Sequence, residues 1–186
     1  MSEQDRAAPW ELTGHGASEH VTQAERDVIA LFNQSRSPLL RYLLSLGLRV
    51  QEAEEVVQEG FLALFEHLQA GKSRRNLRGW IFRVCHNLGL KRRLEARRQI
   101  SSAEADEVTA TRRDPAENPE QQVLNAQRHQ RLQAILRALP ERDRWCLALR
   151  AEGLSYREIA QVLEISLGSV AASLAHSLER LSRADA

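Results

Sequence analysis

The residues best suited to binding a polyanion lie in one block of the sequence, from Lys72 to Arg98. Ten of its 27 residues are Lys or Arg and one is an acid, which gives the block a formal charge of +9. Each contact between such a cation and a phosphate releases counterions, so this density of charge favours nucleic-acid binding. A solvated helix face is the alternative interpretation of a charge run.

Two aromatic residues, Trp80 and Phe82, interrupt this basic block. Aromatic rings in a basic groove can stack on unpaired bases, so both are candidates for contact with nucleic acid. Trp80 also fits a helical stripe with Leu77, Ile81 and Val84, so packing in a core is its alternative role. Phe82 lies off that stripe.

An acidic block precedes the basic one. From Val50 to His67 there are five Glu residues and no Lys or Arg, which gives a formal charge of −5. A helix of this charge suits a basic or polar partner surface. Glu55 and Glu59 would share a helix face, which raises a carboxylate metal site as an alternative. No Glu-x-x-His pattern accompanies them, so we predict no metal site.

The third candidate is a helix-turn-helix near the C-terminus. Ser155 and Glu158 have the spacing of a capping box, which marks the start of a helix. A turn at Glu164 and Ile165 follows this helix, and Ser166 caps a second one. Two helices joined this tightly are typical of the motif that places its second helix in the DNA major groove. An αα-hairpin that only packs is the alternative.

These elements belong to a chain of 186 residues with an all-α composition. Aromatic residues make up only 5%, and apolar residues recur at helical spacing. The sequence predicts two small helical domains, at 21–99 and 123–186, with the helix-turn-helix in the second. An acidic, flexible linker at 100–122 should join them, and a disordered tail should occupy 1–20.

Several local features are also predicted. Ser35–Pro38 should break a helix, and Asn76 should cap the helix of the basic block. Pro140 should lie in the first turn of a helix that ends before Gly153. The inner face of the last helix should carry Val170, Leu174, Leu178 and Leu181. Gly60 has no explanation in the sequence.

Several classes of protein are not expected. No stretch approaches 18 uninterrupted apolar residues, so we expect no membrane insertion. The first residues lack the pattern of a signal peptide, and Cys85 and Cys146 form no C-x-x-C pair. We therefore expect a cytoplasmic protein without cofactor or metal. No nucleophile arrangement is recognisable, so an enzyme is not expected; the enzyme hypothesis that remains is a metal-dependent phosphohydrolase built on the acidic block.

Three blocks of the sequence resemble bacterial RNA polymerase sigma factors of the extracytoplasmic-function (ECF) subfamily. The blocks are Ala53–Phe61, Arg78–Leu88 with the cations after it, and Ala138–Arg144 with the helix-turn-helix at Leu154–Val170. Their joint order is more specific than any single block. The resemblance implies a transcription initiation factor that binds core RNA polymerase and directs promoter recognition and DNA opening. It also implies a region 2-like first domain and a region 4-like second domain.

The resemblance further assigns roles to individual residues. Those expected to bind the β′ clamp helices of the polymerase are Glu54, Glu55, Gln58 and Glu59. Those expected to contact the −10 promoter element are Trp80, Phe82, Arg83, Asn87, Lys91, Arg92, Arg93, Arg97 and Arg98. Those expected to contact the −35 element are Ser166, Ser169, Ser173 and His176. An anti-sigma factor is a further partner that the resemblance suggests.

The second helix of the helix-turn-helix departs from the family pattern. Between Arg157 and Arg180 there is no Lys or Arg, and Glu164 replaces a Gly that is common in the turn. Each missing phosphate contact lowers affinity, so we predict weak −35 binding, or binding through short polar groups and helix-terminal N–H groups. A helix-turn-helix regulator that no longer recruits polymerase is the alternative function.

Overall fold

The structure, a computed structural model, describes residues 22–100 and 130–185. The predicted tail at 1–20 and residues 101–122 of the predicted linker lie outside these ranges. Within them the fold is all-α, as predicted. The helices are α1 (Gln23–Ser45), α2 (Val50–Gln69), α3 (Leu77–Ile100), α4 (130–138), α5 (Glu141–Ala151), α6 (Tyr156–Leu163) and α7 (Leu167–Asp185).

α1 is one uninterrupted helix that begins with a capping box. The Thr22 hydroxyl accepts a hydrogen bond from the Glu25 backbone N–H at 3.2 Å. The predicted break at Ser35–Pro38 is wrong, because the helix continues through Pro38. Leu39 and Leu43 in the following turns are fully buried. Their burial outweighs the one backbone hydrogen bond that proline cannot donate.

α2 and α3 approach each other closely at Gly60. A Cβ atom at this position would lie 2.5 Å from Sγ of Cys85 and 3.3 Å from Cδ1 of Ile81. No side chain fits between the helices here, so close packing offsets the poor helix propensity of glycine. The buried residues around this contact include Val56, Val57, Leu64, Ile81 and Cys85.

α3 begins where Asn76 caps it, as predicted. The side-chain Oδ1 of Asn76 accepts from the Gly79 N–H at 3.1 Å, and its carbonyl accepts from the Trp80 N–H at 3.0 Å. The backbone of Asn76 is left-handed, with φ of 51°, a conformation that Asn tolerates better than most residues. This cap fixes the direction in which α3 leaves the α2–α3 connection.

α5 starts one residue later than the sequence predicts. Pro140 precedes the helix at the N-cap position instead of lying within its first turn. The helix ends before Gly153, which has a φ of 84° and follows the C-cap residue, as predicted. Cys146 and Leu149 face inward from α5 and are fully buried.

α6 and α7 form the predicted helix-turn-helix. The Ser155 hydroxyl accepts from the Glu158 N–H at 3.3 Å, and the Glu158 carboxylate accepts from the Ser155 N–H at 2.8 Å. Glu164 makes the turn with a φ of 54°, and the Ser166 hydroxyl accepts from the Ser169 N–H at 3.0 Å. The two helices are bent by 106° at this turn, which is the geometry of the DNA-binding motif.

The inner face of α7 differs from the predicted one. Val170 and Leu174 are buried, but Leu178 is 57% exposed and Ser177 is fully buried instead. The Ser177 hydroxyl donates to the carbonyl of Ser173 at 2.8 Å. A buried serine is well tolerated when its hydroxyl is hydrogen-bonded in this way. The placement of Leu178 on the inner face is therefore wrong.

The N-terminal unit (α1–α3) packs directly against the C-terminal unit (α4–α7), with α3 in contact with α6. Buried apolar residues of both units form one continuous cluster. Glu152 accepts from Arg41 Nη2 at 2.6 Å through its carboxylate and from Arg78 Nη2 at 2.6 Å through its carbonyl. Two further polar contacts join the units: Asn76 with Gln161 at 2.8 Å, and Arg93 with Glu141.

Candidate DNA- and polymerase-binding surfaces

One side of α3 carries an exposed row of polar and cationic side chains, which we call the basic stripe. Arg83, Asn87 and Lys91 lie at four-residue intervals and are exposed, as are Arg97 and Arg98 further along. Residues four apart share a helix face, so the first three side chains form one row. The stripe is about 22 Å long, which matches about six base pairs of DNA.

Two other cations of α3 form ion pairs with neighbouring helices. Arg92 lies 3.7 Å from Glu55 and 3.5 Å from Glu59 of α2. Arg93 pairs with Glu141 of α5. The side chains of the Arg92 pairs are 41–49% exposed, so each pair stabilises the fold by at most about 1 kcal/mol. The side chain of Arg92 therefore reaches from α3 to α2. It can leave these carboxylates and bind a phosphate at little cost in stability.

The two aromatic residues of the basic block have different surroundings. Trp80 is half-buried against His67, with ring centroids 4.6 Å apart. Phe82 is fully buried, 6.1 Å from the Tyr42 ring and under the guanidinium of Arg78. The expectation that Phe82 lies outside the core is wrong, because α3 is covered by α1, α2 and α6. The structure does not bring Phe82 together with the exposed basic stripe.

A buried polar pair at the junction of the units is absent from the sequence analysis. The hydroxyl of Tyr42 lies 2.7 Å from Nδ1 of His86. Burial lowers the pKa of His86 to about 4 and raises the pKa of Tyr42, so both are neutral at neutral pH. His86 also meets Trp145 of α5 edge-on, with centroids 5.1 Å apart. Tyr42 and His86 lie 44 positions apart in the sequence, and no local motif predicts that they pair.

The four predicted polymerase-binding residues all lie exposed on α2, and we call them the acidic face. They are Glu54, Glu55, Gln58 and Glu59. Leu62 follows within one turn and is 59% exposed. An exposed leucine among charged side chains is compatible with a partner surface, although single exposed apolar residues are common. The structure therefore brings the predicted acidic residues together on one side of the N-terminal unit.

The four predicted −35 residues make contacts within the C-terminal unit. The hydroxyls of Ser166 and Ser169 lie 2.9 Å apart. Ser173 is only 2% exposed, and Nδ1 of His176 lies 2.8 Å from Oδ2 of Asp143 on α5. The structure places Ser173 on the inner face of α7, so it does not join the other three at the surface.

Asp143 is a buried carboxylate that the sequence analysis did not single out. Burial alone would raise its pKa, but the hydrogen bond with His176 and the nearby charge of Arg142 outweigh burial. The pKa of Asp143 therefore lies below its usual value, and the carboxylate stays ionised. It holds the imidazole of His176 toward α5.

Residues 22–100 and 130–185 contain neither a cluster of metal ligands nor a single helix suited to crossing a membrane. In these ranges no group of three or more His, Cys, Asp and Glu side chains could hold a metal ion. No single described helix is long and apolar enough to cross a membrane; α6 and α7 reach that length and composition only as a bent pair. Cys85 and Cys146 are free and buried, and burial raises the pKa of Cys85 to about 12.

Comparison with known families gives two matches that follow each other along the chain. Sigma-70 region 2 matches residues 31–99, and Sigma-70, region 4 matches residues 129–181. Together they span about two thirds of the chain. The acidic face and the basic stripe lie in the first match, and the helix-turn-helix lies in the second.

Individual relatives indicate the subfamily of sigma factors. ECF RNA polymerase sigma factor SigE of Mycolicibacterium smegmatis is 32% identical over 155 residues, which cover 81% of this chain and 58% of that protein. ECF RNA polymerase sigma-E factor of Escherichia coli K12 is 23% identical over 178 residues, which cover 92% and 93%. The chain belongs to the ECF sigma factors.

Two solved structures of other proteins share the fold of this one. CnrH in complex with the cytosolic domain of CnrY has a TM-score of 0.56 and 23% identity, covering 86% of this chain and 87% of that one. RpoE of Bartonella quintana in complex with the anti-sigma factor NepR has a TM-score of 0.62 and 18% identity, covering 84% and 94%. In this ECF sigma factor, the region 2 match contains α2 and nearly all of α3, and the region 4 match contains α5, α6 and most of α7.

Proposed function

We propose that this sigma factor binds core RNA polymerase and directs promoter recognition and DNA opening. The observation that carries the proposal is the position of the acidic face and the basic stripe on two helices that pack directly at Gly60. Polymerase bound to α2 would hold promoter DNA along α3. The protein would act in the bacterial cytoplasm, where RNA polymerase works, and binding energy instead of catalysis would open the DNA.

The acidic face is the proposed contact with the β′ clamp helices of the polymerase. Its Glu side chains are exposed, and among the described residues their ion pairs are with two half-exposed arginines, Arg36 and Arg92. Such pairs are weak and exchange readily. A basic partner would replace these arginines, so binding of polymerase at Glu55 and Glu59 would free Arg92 for DNA.

The basic stripe is the proposed contact with the −10 element. Arg83, Lys91, Arg97 and Arg98 would contact phosphates, while Asn87 has a side chain suited to reading a base edge. Trp80 is half-exposed and could stack on an unpaired base without a change in the fold. Phe82 is fully buried against Tyr42 and Arg78, so it could do so only after a rearrangement of the packing around it.

Region 4 is the proposed reader of the −35 element, and an anti-sigma factor is a proposed further partner. The proposed domains are residues 21–99 and 123–186, and residues 100–122 are the proposed connection between them. The 106° turn between α6 and α7 supports major-groove entry of α7. The complex of the sigma factor RpoE with the anti-sigma factor NepR, a structure of the same fold, supports the second partner.

Charge reversal on the acidic face tests the proposal. Glu59→Lys should reduce the affinity for core polymerase at least tenfold, because it places like charges at the contact. Glu179→Lys is the matched control, since it makes the same charge change on an exposed residue of α7 and should leave polymerase binding unchanged. Binding is measured with the full chain and purified core enzyme. Equal affinity of both variants and the wild type would favour a helix-turn-helix regulator that does not recruit polymerase.

A further inference from the structure

The outer surface of α7 at its N-terminal end is apolar. Leu167, the first residue of the helix, is 48% exposed, and Ala171 and Ala175 follow it at four-residue intervals, also exposed. These positions share one helix face. The opposite side of α7 packs against α5 and α6. The N-terminal residues of the second helix in this motif are the ones that meet base edges in the major groove.

The polar groups near this surface are either buried or hydrogen-bonded within the domain. The hydroxyl of Ser166 caps the helix and lies 2.9 Å from that of Ser169. Ser173 is buried, and His176 is held by Asp143. What the first turns of α7 present outward is therefore mainly hydrocarbon.

Charge does not compensate for the missing polar contacts. No Lys or Arg lies between Arg157 and Arg180, while Glu164 precedes α7 and Glu179 lies within it. Few phosphates can then be neutralised along α7, so electrostatic attraction contributes little to affinity here. Direct apolar contact with the bases is the remaining source of specific binding.

Thymine is the base that offers an apolar group in the major groove, its 5-methyl group. We propose that Leu167, Ala171 and Ala175 read thymine methyl groups, so that the −35 element of this sigma factor is defined by thymines facing α7. This inference rests on the proposed function and names the chemistry that the region 4 helix recognises. Leu167 is the anchor, because it has the largest exposed apolar side chain on this face.

Replacing thymine by deoxyuridine tests the proposal, because it removes the methyl group and leaves base pairing intact. The full chain is bound to core polymerase and titrated with a promoter that it initiates from, with one −35 thymine replaced at a time. Burying one methyl group corresponds to about a fourfold change in affinity. We expect a fourfold loss at one or more positions. The same replacements outside the −35 element should change affinity less than twofold.

Variants of α7 connect that loss to the proposed residue. Leu167→Ala should weaken binding to the thymine promoter but not to the deoxyuridine promoter, so that the two losses are not additive. Leu178→Ala is the matched control: it removes an equally exposed leucine about 16 Å further along the helix and should behave like the wild type. Circular dichroism confirms that both variants are folded.

The outcomes separate the inference from the function on which it rests. Failure of the chain to initiate with core polymerase at any promoter would contradict the proposed function itself. Initiation that depends on the −35 sequence but is indifferent to every deoxyuridine would overturn methyl reading. Initiation that is independent of the −35 sequence would also overturn methyl reading. The apolar face of α7 would then be available to a protein partner.

Discussion

The contact between Gly60 and Cys85 determines how closely α2 approaches α3. These two helices carry the acidic face and the basic stripe, so their separation sets the distance between the proposed polymerase and DNA contacts. A thiol is among the smallest apolar groups that can face a glycine without leaving a cavity. Both residues therefore support the geometry of the site without contacting a partner.

Gly60→Ala should destabilise the protein. The new methyl group would lie 2.5 Å from Sγ of Cys85, and such overpacking outweighs the better helix propensity of alanine. We expect the free energy of unfolding to fall by about 1–2 kcal/mol in urea titrations. Gly168→Ala, whose Cβ would be 3.8 Å from the nearest atom, should instead be neutral or stabilising. A Gly60→Ala protein as stable as the wild type would show that the helices are not tightly packed here.

His86 should make stability depend on pH between about 4 and 6.5. Its pKa in the folded state is about 4, below the ordinary value of 6.5, so the unfolded chain binds the proton more tightly. Stability should therefore fall as the pH drops through this window, by up to about 3 kcal/mol. The measurement is urea unfolding at several pH values, with His86→Gln as the control. Parallel pH profiles of the two proteins would contradict the burial of a neutral His86.

α3 shows at the scale of the element what a sequence can and cannot predict. The cap at Asn76 and the row of cations can be predicted from the local sequence, and the structure confirms the cap. The burial of Phe82 does not follow, because it depends on packing against Tyr42 of α1, which lies 40 residues earlier in the chain. The pairing of Tyr42 with His86 also needs the assembled helices.

The same limit applies to α1 and α7. Pro38 has a strong local preference against a helix interior, but the buried leucines after it hold the helix together. On α7, the spacing of apolar residues predicted Leu178 as an inner residue, whereas a hydrogen bond within the helix makes burial of Ser177 possible. Local patterns therefore predicted the elements well and the buried face less well.

The basic stripe of α3 should contribute to the salt dependence of promoter binding. Lys91→Gln removes one exposed cation, so the slope of log affinity against log salt should become shallower by about 0.7–0.9. The lower value corresponds to single-stranded DNA and the higher one to duplex DNA. Arg26→Gln, at an exposed position of α1 outside the basic block, is the matched control and should keep the wild-type slope. An unchanged slope for Lys91→Gln would remove this residue from the DNA contact.

At the scale of the whole molecule, the contact between the two units conflicts with reading a bipartite promoter. Elements centred at −10 and −35 lie 25 base pairs apart, which is about 85 Å along DNA. A compact body of the 135 residues in 22–100 and 130–185 has a radius of gyration of about 14 Å and a diameter of about 40 Å or less. The packed arrangement is too small to reach both elements, so α3 and α6 must separate on the promoter.

Loss of the Glu152 carboxylate should loosen this arrangement. Glu152→Ala removes the ion pair with Arg41 that joins α5 to α1. Energy transfer between labels at Gln34 and Ser182 should then decrease in the free protein, and it should decrease further when polymerase and promoter bind. Glu179→Ala, which loses only a pair with Arg183 within α7, should match the wild type. Equal transfer in the free and promoter-bound wild type would contradict separation of the units.

Initiation in vitro tests the central claim most directly. Purified protein, core polymerase and fragmented genomic DNA are combined, and the 5′ ends of the transcripts are mapped. The account predicts discrete start sites that appear only with this protein and share an upstream −10 motif. The absence of any such start site, together with no binding to core polymerase, would contradict the assignment of promoter-directed initiation to this chain.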